Sequence, residues 1–165
     1  MDSSYFRVFA DYNQWANARL YDAVAKLPDV EYRKPRQSFF KSIHGTLNHL
    51  LVADRIWLSR IEPPQVAMPL NSILYEDFAA LRMAREAEDR RVVSLVGAMT
   101  TETLSGDLVY TNNSGAAFTT PMAQVLAHLF NHQTHHRGQA HDQLSQTDVA
   151  PPELDLMYYL RRRQT

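Results

Sequence analysis

The segment HLFNHQTHHRGQ, residues 128–139, is the most informative part of this 165-residue chain. It holds four of the seven histidines; His141 follows it closely, and the other two are His44 and His49. Histidines scattered through a protein core would not cluster in two short windows. On a helix, His132 and His136 are one turn apart, so both imidazoles can reach one metal ion.

Helical phase separates the histidines of this segment. With an advance of 100° per residue from His132, one arc collects the apolar side chains. Its members are Met122, Val125, Leu126, Leu129, Ala140 and Leu144. His136 and His132 lie at the edge of this arc, whereas His128 and His135 fall progressively outside it and His141 lies beyond the opposite edge. The phase favours His132 and His136 as the inward pair, and it predicts that His128 and His135 line the mouth of the site or face a neighbour.

A third imidazole comes from an earlier helical segment, where His49 lies among Leu47, Leu50 and Leu51. One histidine there and two in the later segment predict a three-imidazole site between helices. Imidazole suits zinc, nickel, copper or iron. Three protein ligands leave one coordination position for water or substrate, as catalytic zinc sites do. Such a metal can lower the pKa of bound water to roughly 7 and polarise a substrate oxygen or sulfur.

Apolar periodicity predicts the fold. Residues recur every three or four positions over 2–27, 38–61, 74–99 and 120–146, which predicts four long helices. Thr120 is expected to cap the fourth, with Pro121 at its first position. Residues 108–120 predict a hairpin, and 154–163 a short last helix. We expect an all-α fold, an up-down four-helix bundle with a small β-hairpin insertion, as one domain over 1–165.

Composition excludes several classes of protein. Seventeen Lys and Arg residues against eighteen Asp and Glu give a net charge of −1, which argues against a nucleic-acid partner. No apolar run approaches the ~18–20 residues of a membrane-spanning helix. The first residues do not have the pattern of a secretory signal, so a cytoplasmic location is expected. With no cysteine, the chain has no disulfide, thiolate nucleophile or cysteine-bound metal.

A metal-bound imidazole donates the N–H of its second ring nitrogen to a hydrogen-bond acceptor. The pocket and support candidates are Asp54, His135, Gln139, Arg137 and Asn13. Asp54, a carboxylate on an apolar stripe, and Gln139 are the two proposed acceptors. Asp54 can equally be interpreted as a buried carboxylate that pairs with an arginine or a backbone N–H and has no role at the metal. His44 and His141 are interpreted as core histidines that are each satisfied by a hydrogen bond.

Several stretches carry a resemblance that covers nearly the whole chain. They are Tyr12-Asn13-Gln14-Trp15-Ala16-Asn17, Leu47-Asn48-His49-Leu50, Asp54-Arg55-Ile56-Trp57, the hairpin with Ser114-Gly115, residues 128–139 and residues 154–160. In these stretches the chain resembles the DinB/YfiT-like family of DNA-damage-inducible, metal-binding four-helix-bundle proteins. The motif His-x-x-x-His-Arg-Gly-Gln is the most specific part. The resemblance implies one divalent metal per chain, zinc or nickel, held by His49, His132 and His136.

The resemblance also implies a function. Some relatives are thiol transferases or isomerases that use a low-molecular-weight thiol, bacillithiol or mycothiol, activated at the metal. It therefore implies a metal-dependent enzyme, often a homodimer, that transfers or adds a small thiol to an electrophile in stress or detoxification. Two alternatives stay open: a metal-dependent hydrolase with metal-bound water as nucleophile, and a non-enzymatic metal-binding stress protein.

Overall fold

Seven helices and one hairpin are described by the computed structural model, which covers residues 3–163. They are α1 (Ser3–Val24), α2 (Asp29–Arg33), α3 (Ile43–Ile61), α4 (Phe78–Ala98), α5 (Thr101–Ser105), β1 (Asp107–Thr111), β2 (Ala117–Pro121), α6 (Met122–Ser145) and α7 (Leu156–Arg162). The predicted helical bundle, hairpin and short C-terminal helix are confirmed. The five-residue helices α2 and α5 were not predicted, because a single turn is too short to show a period. Within the described residues, no helix has the length and hydrophobicity that a bilayer span requires.

The start of α3 lies five residues later than the sequence predicts. Ser42 caps the helix, and its hydroxyl accepts a hydrogen bond from the Gly45 N–H. Lys41 has a positive φ of 66°, which breaks a helical path through residues 38–42. Phe40 falls within the helix predicted over 38–61, and it lies instead in the segment that precedes the cap.

The start of α6 also differs from the prediction. Thr120 is not the cap, and Pro121 is not the first helical residue. Pro121 occupies the N-cap position with extended ψ of 132°, and it is the last residue of β2, where it pairs with Asp107. The hairpin therefore continues directly into α6, and its pairing holds residues 120 and 121 in strand geometry.

Contacts between the four long helices fix their directions. These contacts are Arg7–Gly97 and Asp22–Arg82 between α1 and α4, Thr46–Gln143 and Asp54–Gln133 between α3 and α6, Asp54–Arg85 between α3 and α4, and Glu62–Arg91 between the C-cap of α3 and α4. They make α4 antiparallel to α1, α6 antiparallel to α3, and α4 parallel to α3. The order is therefore up, down, down, up, and not the alternating order expected of an up-down bundle, because α3 and α4 are parallel.

The parallel pair α3 and α4 requires a long connection. The 19 residues of α3 rise about 28 Å along the bundle. Residues 62–77 must return over this length before α4 begins, and we call them the crossover. Asn48 of α3 holds the end of the crossover, because its side-chain oxygen accepts hydrogen bonds from the N–H groups of Leu74 and Tyr75.

Two apolar clusters fill the ends of the bundle. The first includes Phe6, Leu58, Val92, Val96, Met122, Val125 and Leu126, and the second includes Leu20, Ile43, Leu47, Leu50, Leu81 and Leu144. Between them lies a set of buried polar side chains that we call the central polar layer. Its members are Asn13, Asn17, Asp54, Arg85, Asp89, Gln133 and Arg137.

Arg85 of α4 holds this layer together. Its guanidinium lies 2.6 Å from Asp54 of α3 and 3.0 Å from Asp89 of α4. Burial raises the pKa of both carboxyls, and the charge of Arg85 opposes that rise. Gln133 of α6 donates to Asp54 at 2.6 Å, and Asn17 of α1 donates to Asp89 at 3.0 Å. The layer therefore joins all four long helices.

We expect Arg85→Ala to lower the free energy of unfolding by about 3–5 kcal/mol, because it leaves two carboxylates buried without a cation. The matched control is Arg82→Ala on the same helix, whose exposed pairs with Asp22 and Glu86 should contribute about 1 kcal/mol or less. Urea unfolding followed by circular dichroism measures both. Equal losses in the two variants would contradict the central role of Arg85.

Candidate metal centre

Three histidines from two helices meet on one side of the bundle. His49 of α3 is buried, and His132 and His136 of α6 are half-buried. One ring nitrogen from each lies within 4.8 Å of those from the other two. The antiparallel packing of α3 on α6 creates this meeting, because it brings the middle of both helices to the same level. The group has the donors and the spacing to hold a metal ion.

Hydrogen bonds set the tautomers of two of these rings. His49 Nδ1 lies 2.8 Å from the carbonyl oxygen of Leu70, in the crossover. A carbonyl only accepts, so Nδ1 carries the proton and the neutral ring keeps a lone pair on Nε2. In the same way, His136 Nδ1 lies 2.8 Å from Oε1 of Gln139. Both rings therefore present an unprotonated Nε2, which is the form that binds a metal.

The third ring completes the donor set. His132 Nε2 lies 3.2 Å from His49 Nε2. Two imidazole nitrogens bound to one tetrahedral zinc at 2.0–2.1 Å would lie about 3.3 Å apart. The spacing therefore fits a shared ion. His132 Nδ1 is enclosed and has no hydrogen-bond partner in residues 3–163, so only two of the three rings have the outer acceptor that the sequence predicts.

Burial keeps the three imidazoles neutral. Loss of water contact, together with a smaller effect of His136, lowers the pKa of His49 to about 4, although its hydrogen bond with the Leu70 carbonyl opposes the shift. Burial together with the other histidines lowers the pKa of His132 to about 3. The pKa of His136 is also lowered by burial, although its hydrogen bond with Gln139 opposes the shift. At neutral pH none of the three rings carries a second proton.

Phe40 forms one wall of the cluster. Its ring stacks on His49 with centroids 3.7 Å apart and planes 17° apart, and it meets His136 edge-on at 5.4 Å. The chain reaches this position only because residue 45 is glycine. A Cβ at Gly45 would lie 2.2 Å from the Phe40 carbonyl oxygen. The wall therefore depends on the Ser42 cap and the close approach that Gly45 allows.

The remaining candidate residues divide into two groups. His135 is exposed beside His136, with ring centroids 4.7 Å apart, and Gln139 lies 3.2 Å from its Nε2. Asp54, Arg137 and Asn13 lie in the central polar layer, where Arg137 donates to Asn13 at 2.7 Å. Apart from a contact between Arg137 and Thr134, their hydrogen bonds run within that layer, and none goes to the three histidines.

The histidines outside the cluster have other partners. His44 contacts the hydroxyl of Tyr32 at 2.9 Å, and His141 lies 3.0 Å from the carbonyl oxygen of Pro152. Each is satisfied as a structural histidine. His128 lies against Trp57, with ring centroids 4.8 Å apart, and 5.8 Å from His132. It therefore borders the cluster, as its helical phase predicts.

Sequence reasoning missed three parts of the site. The Leu70 carbonyl leaves no signal in the sequence, because any residue supplies a backbone oxygen. Phe40 was assigned to a helix that does not include it. Gln133 falls inside the apolar arc of α6, and that position could have shown it to be buried.

Comparisons with known proteins identify a family and a fold. A family model described as the DinB family matches residues 1–165. Protein DinB from Bacillus subtilis (strain 168) is 28% identical over 162 residues, which is 94% of this chain and 93% of that protein. The crystal structure of a DinB-like protein from Bacillus cereus superposes with a TM-score of 0.67 at 16% identity, covering 88% of this chain and 94% of the other. The last comparison concerns the fold alone.

Metal-free protein should lose stability as the pH falls from about 6.5 towards 4. The unfolded chain binds protons on His49 and His132 in this range, whereas the folded chain does not, because their folded pKa values are near 4 and 3. Urea midpoints of chelator-treated protein at pH 7 and pH 5 measure the loss. The double variant His49→Gln, His132→Gln should lose less, and an equal loss would contradict the assigned pKa shifts.

Proposed function

The chain belongs to the DinB family, and from that membership together with the three-histidine cluster we propose that it is a metal-dependent enzyme that transfers a low-molecular-weight thiol to an electrophile. The observation that carries the proposal is the common direction of the ring nitrogens. Two tautomers are set so that Nε2 faces the centre, and the third Nε2 lies 3.2 Å away.

The donor set suits a catalytic role. Three neutral imidazoles bring no negative charge, so they leave the full charge of a divalent ion to act on a further ligand. A bound divalent ion would supply Lewis acidity that holds a thiol as its thiolate near neutral pH. Three ligands in place of four also leave room for that thiol.

The nucleophile must come from outside the protein, since the chain has no cysteine. In the proposed reaction, the thiol sulfur forms a bond to the electrophilic carbon. The leaving group departs with its electron pair, and the thiol proton passes to solvent. Phe40 covers His49 and half-buried His136, and this apolar cover would exclude water from one side of the reacting sulfur.

The proposal extends to the metal and the assembly. Imidazole nitrogens favour zinc or nickel over magnesium or calcium, and we propose zinc or nickel, one per chain. We also propose a homodimer in the cytoplasm. Elemental analysis tests the identity and number of the metal ions, and sedimentation velocity tests the homodimer.

Protein purified without an affinity tag or chelator should contain close to one zinc or nickel ion per chain. His49→Ala and His132→Ala should each weaken metal binding by more than the 10–100-fold typical of losing an outer-shell partner, because each removes a direct ligand. Elemental analysis after dialysis measures occupancy. His141→Ala is the control and should leave occupancy unchanged, since its ring bonds the Pro152 carbonyl. Equal loss in all three variants, or no metal even with added ion, would refute the site.

Metal-loaded protein should catalyse the consumption of a small alkyl halide only when a thiol is present. Bacillithiol, mycothiol and cysteine are the thiols to compare, with release of halide as the readout. His132→Ala should reduce the rate to that of the uncatalysed reaction, and His141→Ala should not. Turnover of ester or amide substrates without thiol would favour the hydrolase instead. Full metal occupancy with no turnover would favour a non-enzymatic metal-binding protein.

A further inference from the structure

Arg60, on the last turn of α3, is a buried cation without an anionic partner. Its side chain is 8% exposed, and burial lowers its pKa. Within residues 3–163 it forms neither an ion pair nor a hydrogen bond. The nearest carboxylate along the chain, Glu62, pairs with Arg91 instead.

Two aromatic rings pack against the guanidinium. Its central carbon lies 4.3 Å from the centroid of Trp57 and 4.8 Å from that of Tyr110, which the hairpin supplies. Cation–π attraction of this kind offsets part of the cost of burying the charge. It gives the N–H groups no hydrogen-bond acceptor. None of the Arg60 nitrogens is among the enclosed atoms that lack a partner, so these N–H groups remain in contact with solvent.

A continuous row of rings connects Arg60 to the three-histidine cluster. The Arg60 side chain runs back along α3 over Trp57, as side chains on helices lean towards the N-terminus. Trp57 lies 4.8 Å from His128, and His128 lies 5.8 Å from His132. We call Trp57, His128 and His132 the aromatic row. A molecule bound at the cluster and extended along this row would reach the guanidinium.

We propose that Arg60 binds a carboxylate of the thiol whose sulfur is held at the three-histidine cluster, so that the site selects carboxylate-bearing thiols. The inference rests on the proposed function and deepens it by naming a substrate class. A guanidinium edge matches a carboxylate with two parallel N–H···O bonds. The apolar surroundings of Arg60 strengthen that attraction relative to open water.

The test uses protein loaded with cobalt(II), in which a bound thiolate gives a sulfur-to-metal charge-transfer absorption. The ligands are mercaptopropionate, mercaptohexanoate and mercaptoundecanoate, each compared with the mercaptoalcohol of the same length. At the length that spans the aromatic row, the acid should bind at least about tenfold more tightly than the alcohol, as expected for a charged hydrogen bond. Equal affinities of acid and alcohol at every length would overturn the inference.

Variants locate the effect at Arg60. Arg60→Gln should abolish the preference for the acid and leave the affinity for the alcohol within about twofold. Arg60→Lys keeps the charge but lacks the planar set of guanidinium N–H donors, so it should lose most of the preference for the acid. This variant also provides the test if Arg60→Gln does not fold. Arg55→Gln on the same helix is the matched control and should keep the preference, because Arg55 already pairs with Glu88. A preference that survives both Arg60 variants would overturn the inference.

A second readout separates this inference from the proposed function. If no thiol gives a charge-transfer band on cobalt-loaded protein, the proposed function fails. Carboxylate binding at Arg60 is then measured with glutarate by the fluorescence of Trp57, in a Trp15→Phe background that removes the other tryptophan. A saturable change that Arg60→Gln removes would support the anion site, and no change would overturn it.

Discussion

The ion pairs of Arg85 with Asp54 and Asp89 set the rotation of α6, on which the candidate metal centre depends. Asp54 is bound by Gln133, and Asp89 connects through Asn13 and Asn17 to Arg137. Gln133 and Arg137 each follow a cluster histidine directly in the chain. When those two side chains are held inside the bundle, His132 and His136 are turned to its edge.

The parallel arrangement of α3 and α4 contributes the next constraint. Because the two helices point the same way, the crossover has to return along the bundle, and its path lies over α3. Asn48 fixes the end of that path, and the Leu70 carbonyl then meets His49 Nδ1. A property of the topology thus sets the tautomer of a histidine. An alternating bundle with a short loop between the same helices would have no chain there to supply this oxygen.

The hairpin links the fold to the specificity proposed for Arg60. It passes directly into α6 at Pro121, and β1 places Tyr110 against the guanidinium. With Trp57 also packed against the guanidinium, the charge is retained without any carboxylate of the protein. A cation held in this way stays available to a ligand, whereas the nearby Arg55 and Arg91 are neutralised by Glu88 and Glu62.

The sequence by itself determined the four long helices, the hairpin and the common helical face of His132 and His136, because helical period and histidine spacing are local properties of the chain. The packing of α3 on α6 decided that His49 meets them. It did not determine the cap at Ser42, which moved Phe40 from a helix to the wall of the cluster. Tertiary structure alone decided that Asp54, Arg137 and Asn13 belong to the central polar layer, that Leu70 supplies an acceptor, and that Arg60 has no anion. The reason is that hydrogen-bond partners and unmatched charges depend on which helices are neighbours, and apolar periodicity does not record that choice.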